Sequence, residues 1–113
     1  MSQTESRIAF VTTGSEDEAL NIGRTLVEEG LAACANLLPQ IRSIYRWQDK
    51  IEDEPEVLMV LKTTQSRLPA LIDRVKELHS YDVPEIVAVP IVAGLKPYLD
   101  WVRENTQDRS AQT

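Results

Sequence analysis

Thiol and imidazole groups are almost absent from this sequence. Of its 113 residues, one is cysteine (Cys34) and one is histidine (His79). A single cysteine excludes an intrachain disulfide framework and is typical of a reducing compartment. One cysteine with one histidine also cannot complete a tetrahedral structural metal site within one chain. The sequence therefore predicts a fold that depends on its hydrophobic core.

Basic residues are outnumbered by acidic ones. The chain has 12 Lys and Arg against 18 Asp and Glu, a formal net charge of −6. Because nucleic-acid affinity depends on Lys and Arg neutralising phosphates, this balance argues against DNA or RNA as a partner. It also argues against anionic membranes, and no apolar run is long enough to span a bilayer. The N-terminus lacks a basic and then apolar signal segment, so we expect a cytoplasmic protein.

The common sequence patterns of catalysis are missing as well. There is no CxxC pair, no glycine loop of the kind that cradles phosphate, and no Ser/His/Asp order. Cys34 and His79 are a conceivable nucleophile and base, but no strand-to-helix elbow or third orienting group accompanies them. We therefore predict a protein that binds and assembles and is not an enzyme.

The hydrophobic pattern predicts one domain over residues 7–105, with flexible polar tails at residues 1–6 and 106–113. Residues 7–13 are mostly apolar and predict a short strand. Ser15 and Glu18 then form a capping box for a first helix, and Gly30 supplies its left-handed end.

A long β-hairpin is predicted next. Residues 31–47 indicate a strand, in which Pro39 marks a bend or bulge because proline removes a ladder donor. Residues 48–50 form the turn, and residues 51–63 run back as a second long strand. Alternation places Glu52, Glu54 and Glu56 on one face of that return strand.

The remaining elements are a second helix over residues 66–80, a strand over residues 84–92 and a short helix over residues 96–105. The whole order predicts an α+β fold of the ferredoxin-like βαββαβ type, an antiparallel sheet with two helices on one face. The other face would be uncovered, so its apolar side chains predict self-association. In the last helix we expect four side chains to face inward: Tyr98, Leu99, Trp101 and Val102.

Several short segments also occur in a characteristic order. They are residues 31–36 (LAACAN), 43–47 (SIYRW), 56–64 (EVLMVLKTT), 79–86 (HSYDVPEI) and 98–101 (YLDW). Together they resemble the CutA family, the divalent-cation tolerance proteins, over about residues 7–105. The resemblance implies a compact homotrimer similar to the PII signalling proteins, located in the cytoplasm. It also implies tolerance of copper and other divalent metals, a proposed copper site, and neither enzymatic activity nor a required cofactor.

The sequence departs from the family pattern at three places. Asp49 stands at the hairpin tip where the family usually has glycine. Thr12 and Thr13 stand where some bacterial members have a cysteine, and Leu78 precedes His79 where they have two adjacent histidines. Only His79 of the proposed copper set is therefore present.

Candidate metal ligands are few. Cys34 is a soft ligand for a thiophilic metal or else a small buried hydrophobe. His79 is an imidazole ligand or else a helix-end histidine favoured by the helix dipole. Glu54 and Glu56 belong to an acidic run that would hold a hard cation, or that would discourage unwanted strand pairing from a solvated edge.

The aromatic residues are assigned first to packing, because aromatic side chains dominate core and interface energetics. In the CutA pattern such residues surround subunit contacts and the cleft between subunits, which makes Tyr45, Trp47, Tyr81 and Trp101 ligand candidates. Lys62 and Glu85 would pair at the rim of that cleft or reach solvent from the strand ends.

Two functions remain open from the sequence, besides a third possibility of a highly stable trimer whose role is interaction alone. The first is a trimeric metal-tolerance protein that binds copper or another divalent cation at clefts between subunits. The second is a PII-like regulatory module that binds a small anionic metabolite or a partner protein. A metal titration separates them, as does a rise in melting temperature with metabolites.

Overall fold

The computed structural model describes residues 4–108 and contains a single four-stranded sheet with three helices. The elements in chain order are β1 (Ser6–Thr13), α1 (Glu16–Glu28), β2 (Cys34–Trp47), β3 (Lys50–Thr64), α2 (Leu68–Leu78), β4 (Ile86–Pro90) and α3 (Lys96–Glu104). The strands lie in the order β2-β3-β1-β4, and every neighbouring pair is antiparallel. The predicted α+β arrangement is confirmed.

Helix α1 begins and ends where its sequence predicts. The Ser15 hydroxyl accepts a hydrogen bond of 3.1 Å from the Glu18 N–H, and the acidic first turn complements the helix dipole. Gly30 has a φ of 73°, and the following Leu31 N–H donates back to the carbonyl of Leu26 at 2.9 Å. These contacts satisfy backbone groups at both ends of the helix.

Helix α2 is shorter than the predicted residues 66–80. It runs Leu68–Leu78, because Arg67 provides no side-chain cap at one end and His79 adopts an extended backbone, with ψ of 142°, at the other. Strand β4 (Ile86–Pro90) is likewise shorter than the predicted residues 84–92. The C-terminal end of α2 coincides with the contact of the His79 ring with the Thr12 carbonyl of β1, which a local pattern does not report.

The β2–β3 hairpin contains the bulge that Pro39 predicts. The register shifts between Leu38 and Ile41, and Gln40 has a φ of 65°. At this point β2 has one more residue than β3, which defines a β-bulge. Beyond it the two strands pair to the turn, with Trp47 opposite Lys50.

The turn of the hairpin has two non-glycine residues in left-handed conformation, Gln48 with φ of 50° and Asp49 with φ of 64°. Aspartate tolerates this region better than most residues, but glycine has no Cβ to clash there.

Because glycine also loses more entropy on folding, Asp49→Gly is expected to raise the free energy of unfolding by only about 0.5 kcal/mol. Urea denaturation measures the change. Lys50→Gly, placed just past the turn in β3, is the control and is expected to destabilise.

The core lies between the sheet and the first two helices. Alternate residues of β1 and β3, such as Ala9, Val11 and Leu61, are fully buried against Leu26 of α1 and Val75 of α2. Packing of one sheet face against two helices is the arrangement expected of this fold.

The element order predicts that the opposite sheet face is uncovered. In the structure this face is partly covered, because α3 contacts β1 and β3 there. Only Val102 of α3 is fully buried, while Tyr98 and Trp101 stay about two-fifths exposed. Of the four apolar residues expected to face inward, Val102 is fully buried, whereas these two aromatics are only partly covered within one chain. The rest of the face leaves Leu38, Val87 and Val89 exposed.

The predicted flexible tails are shorter than expected within the described residues. The Thr4 hydroxyl donates a hydrogen bond of 2.6 Å to the carbonyl of Ile91, and Ser6 already belongs to β1. At the other end, the buried Thr106 hydroxyl donates to the carbonyl of Val102 at 2.8 Å. Residues 1–3 and 109–113 lie outside the described residues. Within residues 4–108, none of the helices has the length and apolar character needed to cross a membrane.

Candidate functional site

A cleft of about 580 Å³ opens where the hairpin meets the end of β1 and the loop between α2 and β4. Strands β1, β2 and β3 and that loop all contribute to its walls. The cleft is lined by Thr12, Ser43, Ile44, Tyr45, Trp47, Glu56, Tyr81, Asp82, Val83 and Glu85. Five of the residues selected from the sequence therefore come together here: Tyr45, Trp47, Glu56, Tyr81 and Glu85.

Glu56 is the acidic residue held most firmly in the cleft. Its side chain is almost buried, with a relative exposure of 9% for the residue, and its Oε2 accepts a hydrogen bond of 2.9 Å from the Tyr81 hydroxyl. Burial and the Glu56 carboxylate both raise the pKa of Tyr81, so the phenol stays protonated and keeps donating. Gly14 permits this contact, because a Cβ at that position would lie 3.0 Å from the Tyr81 hydroxyl.

The acidic face predicted for β3 is present. Glu52, Glu54 and Glu56 lie opposite Tyr45, Ser43 and Ile41 of β2, so the three carboxylates alternate along one face. Partial loss of water, followed by the charges of Glu54 and Glu56, raises the pKa of Tyr45. The three carboxylates therefore extend negative charge from the cleft along the hairpin.

His79 is a structural residue in this chain. Its ring is buried, with Nε2 lying 2.7 Å from the carbonyl oxygen of Thr12, and Nδ1 accepts from the Tyr81 N–H at 3.1 Å. Because a carbonyl oxygen only accepts, Nε2 carries the proton and Nδ1 has its lone pair engaged. A metal ion would have to displace one of these two hydrogen bonds. Glu18 supports the same turn, since its carboxylate accepts from the Ser80 N–H at 2.7 Å.

Cys34 lies in a second group, beside α3. Its sulfur is 3.8 Å from the Tyr98 hydroxyl, and the Tyr98 ring packs against Trp101 with ring centroids 5.6 Å apart. Lys62 lies opposite Cys34 in the sheet and donates to the side-chain oxygen of Asn36. Glu85 lies at the hairpin cleft and Lys62 toward the other end of β3, so the two do not pair within one chain.

The two groups are well separated within one chain. Glu56 and Lys62 are six residues apart on β3, which corresponds to roughly 20 Å at about 3.4 Å per residue. Cys34 and His79 therefore do not meet in a common site. Among residues 4–108, no three His, Cys, Asp or Glu side chains are placed to hold a metal ion together.

Sequence reasoning missed several residues of the cleft. Thr12 contributes the carbonyl that orients His79, Gly14 makes room for Tyr81, and Asp82 adds a carboxylate to the lining. The motif at residues 79–86 contains Asp82 and could have identified it as a cleft residue. Nothing in the sequence indicates that the end of β1 lies against this segment.

Comparison with known proteins matches this chain to one family. The family model of the CutA1 divalent ion tolerance protein matches residues 7–105. The divalent-cation tolerance protein CutA of Thermus thermophilus is 52% identical over 99 residues, covering 88% of this chain and 96% of that protein. The human protein CutA is 52% identical over 102 residues, and the chain spans 57% of its length.

Solved structures agree with the sequence matches. The Thermus thermophilus divalent cation tolerance protein superposes with a TM-score of 0.88 at 50% identity, covering 90% of this chain and 99% of that one. CutA from Xylella fastidiosa superposes with a TM-score of 0.90 at 38% identity, covering 92% of this chain and 100% of that one. The chain belongs to the CutA family of divalent-cation tolerance proteins.

Proposed function

We propose that this protein acts in the tolerance of divalent cations as a non-enzymatic, cytoplasmic homotrimer that binds metal ions at clefts between its subunits. The observation that carries the proposal is the 52% identity, over nearly its whole length, to a protein named for divalent-cation tolerance. The cleft at the base of the hairpin is the location that we propose for the metal ion.

The donor groups of the cleft favour a hard divalent cation. Glu56, Asp82 and Glu85 line it, and carboxylate oxygens are the ligands that hard cations prefer. Copper in proteins is more often held by thiolate or imidazole groups. Cys34 lies elsewhere and both nitrogens of His79 are engaged, so one chain does not offer copper that kind of site.

A second copy of the chain would supply the metal ligands that one chain lacks. No three metal-ligating side chains converge within residues 4–108, and we therefore expect a complete site to draw ligands from a second copy. The exposed apolar side chains of the hairpin and β4, including Ile44, Ile51 and Val87, favour such an assembly.

Sedimentation equilibrium should give about three times the 12.8 kDa chain mass, and a monomer at micromolar concentration would contradict the proposed trimer.

Calorimetric titration of Cu(II), Mn(II) and Ca(II) tests the metal site. The wild type is expected to bind at least one of these ions saturably at micromolar concentration. The double variant Glu56→Gln, Glu85→Gln is expected to bind at least tenfold more weakly, because it loses two charged ligands. Glu104→Gln, on the exposed surface of α3, is the matched control. No saturable binding by the wild type would refute the metal role.

The alternative, a PII-like module for a small anionic metabolite, is opposed by the charge of the cleft. Glu56, Asp82 and Glu85 would repel an anion, and none of the described lining residues is Lys or Arg. A panel of nucleotides and carboxylates is therefore expected to leave the melting temperature unchanged. A ligand-dependent rise would favour the alternative over the metal role.

A further inference from the structure

The buried ring of His79 makes its two hydrogen bonds in the uncharged form. Its Nε2–H donates to the Thr12 carbonyl at the end of β1, at 2.7 Å, and its Nδ1 accepts from the Tyr81 N–H at 3.1 Å. An imidazole donates at one nitrogen and accepts at the other when it is neutral, whereas protonation makes both nitrogens donors. One added proton therefore removes the acceptor of the Tyr81 N–H.

A carboxylate of α1 lies next to the nitrogen that would take up this proton. Oε2 of Glu18 is 3.7 Å from Nδ1 of His79, and the Glu18 side chain is 16% exposed. In the neutral state the same oxygen accepts from the Ser80 N–H at 2.7 Å. Because a buried charged imidazole needs a counter-ion, protonation would draw Nδ1 toward Glu18 and away from Tyr81.

The other groups around this contact come from β1, β3 and the loop. Thr12 is uncharged and contributes its carbonyl. The Tyr81 hydroxyl donates to Glu56 at 2.9 Å, and its ring lies beside the His79 ring with centroids 4.7 Å apart. Burial, followed by Glu56, raises the pKa of Tyr81, so this phenol stays neutral in acidic solution. The titratable groups of the described contact are therefore His79, Glu18 and Glu56.

We propose that protonation of His79, with Glu18 as its counter-ion, releases the loop of residues 80–85 from the His79 ring. This loop contributes four residues of the cleft lining, including Tyr81 and Asp82, so the cleft loses one of its walls in acidic solution. Histidine is the residue type that ordinarily changes its charge between about pH 5 and pH 8. The switch belongs to the fold itself and does not depend on the proposed metal role.

An NMR titration of the full chain without metal tests this switch. His79 is the one histidine in the sequence, so its ring signals are unambiguous. From about pH 8 to about pH 5, the ring nitrogens and the Tyr81 amide are expected to change with one common midpoint. Hydrogen-exchange protection of the Tyr81 amide, relative to the intrinsic rate at each pH, should fall about two- to tenfold, the effect of one lost hydrogen bond.

Two variants separate the effect of His79 from that of the carboxylates. Glu18→Gln keeps an acceptor for the Ser80 N–H but removes the counter-charge, so the common transition should move to lower pH. Tyr81→Phe keeps the ring and removes the contact with Glu56, so the pH response of the amide at position 81 should persist.

Three results would each overturn the proposal. The first is a His79 ring that titrates while the Tyr81 amide stays constant, or that stays neutral until the whole chain unfolds. The second is an unchanged midpoint in Glu18→Gln. The third is loss of the amide response in Tyr81→Phe, which would assign the pH dependence to Glu56. These titrations contain no divalent metal, so their outcome does not bear on the calorimetric metal titration.

Discussion

Replacing His79 with alanine should lower the free energy of unfolding by about 2–4 kcal/mol, because it leaves two backbone groups without partners at roughly 1–3 kcal/mol each. These groups are the Thr12 carbonyl and the Tyr81 N–H, which the His79 ring joins across the end of β1 and the loop after α2. The variant also creates a cavity, since the ring is buried. Urea unfolding of the wild type and variant at the same protein concentration measures the difference.

Ser80→Ala is the control for this experiment. Ser80 is exposed and joins Glu18 through its backbone N–H, which alanine keeps. We expect Ser80→Ala to change stability by less than about 0.5 kcal/mol. If His79→Ala had the same free energy of unfolding as Ser80→Ala, the hydrogen bonds of the His79 ring would not stabilise the turn. The ring nitrogens would then be free to bind a metal ion without loss of stability.

The second large effect is expected for Leu26→Ala in α1. Leu26 is fully buried between the sheet and the helices, and removing a buried leucine side chain costs about 2–5 kcal/mol. The same helix provides a matched control, because Leu20 is 49% exposed and Leu20→Ala involves the same change in helix propensity. The control should lose less than about 1 kcal/mol.

Thermal and urea unfolding of both variants measures this comparison. A similar loss for Leu20→Ala and Leu26→Ala would contradict a core in which Leu26 is fully buried and Leu20 is about half exposed. A large loss confined to Leu20→Ala would instead indicate that the outer surface of α1 is buried by another copy of the chain.

The elements of this fold were predictable where a local pattern determines them. The capping residue Ser15, the left-handed Gly30 and the helical period of α1 act within a few residues, so sequence alone located that helix. Pro39 gave the bulge for the same reason. The end of α2 was misjudged because His79 leaves the helix to reach Thr12, a residue 67 positions away in the chain.

The cleft was predictable in composition more than in geometry. Tyr45, Trp47 and Glu56 were selected as candidates, and alternation along a strand correctly grouped the carboxylates of β3. Whether Lys62 and Cys34 belong to the same site as Glu56 depends on the distance between Glu56 and Lys62 along β3. The order of motifs in the sequence does not give that distance. The packing of α3 on the second sheet face was missed because the apolar positions of a helix do not indicate which surface it contacts.

The bulge between Leu38 and Ile41 determines which side chains the distal hairpin presents to the cleft. Side chains alternate with a period of two, so one extra residue in β2 reverses the facing of every residue that follows. With Gln40 present, Ser43, Tyr45 and Trp47 share the face of Glu56. In a regular ladder continued from Leu38 with Gln40 retained, Arg42, Ile44 and Arg46 would occupy that face and place two positive charges among its carboxylates. The set of side chains that faces the cleft therefore depends on the bulge and on its extra residue together: loss of both would keep the present facing, whereas loss of the bulge alone would reverse it.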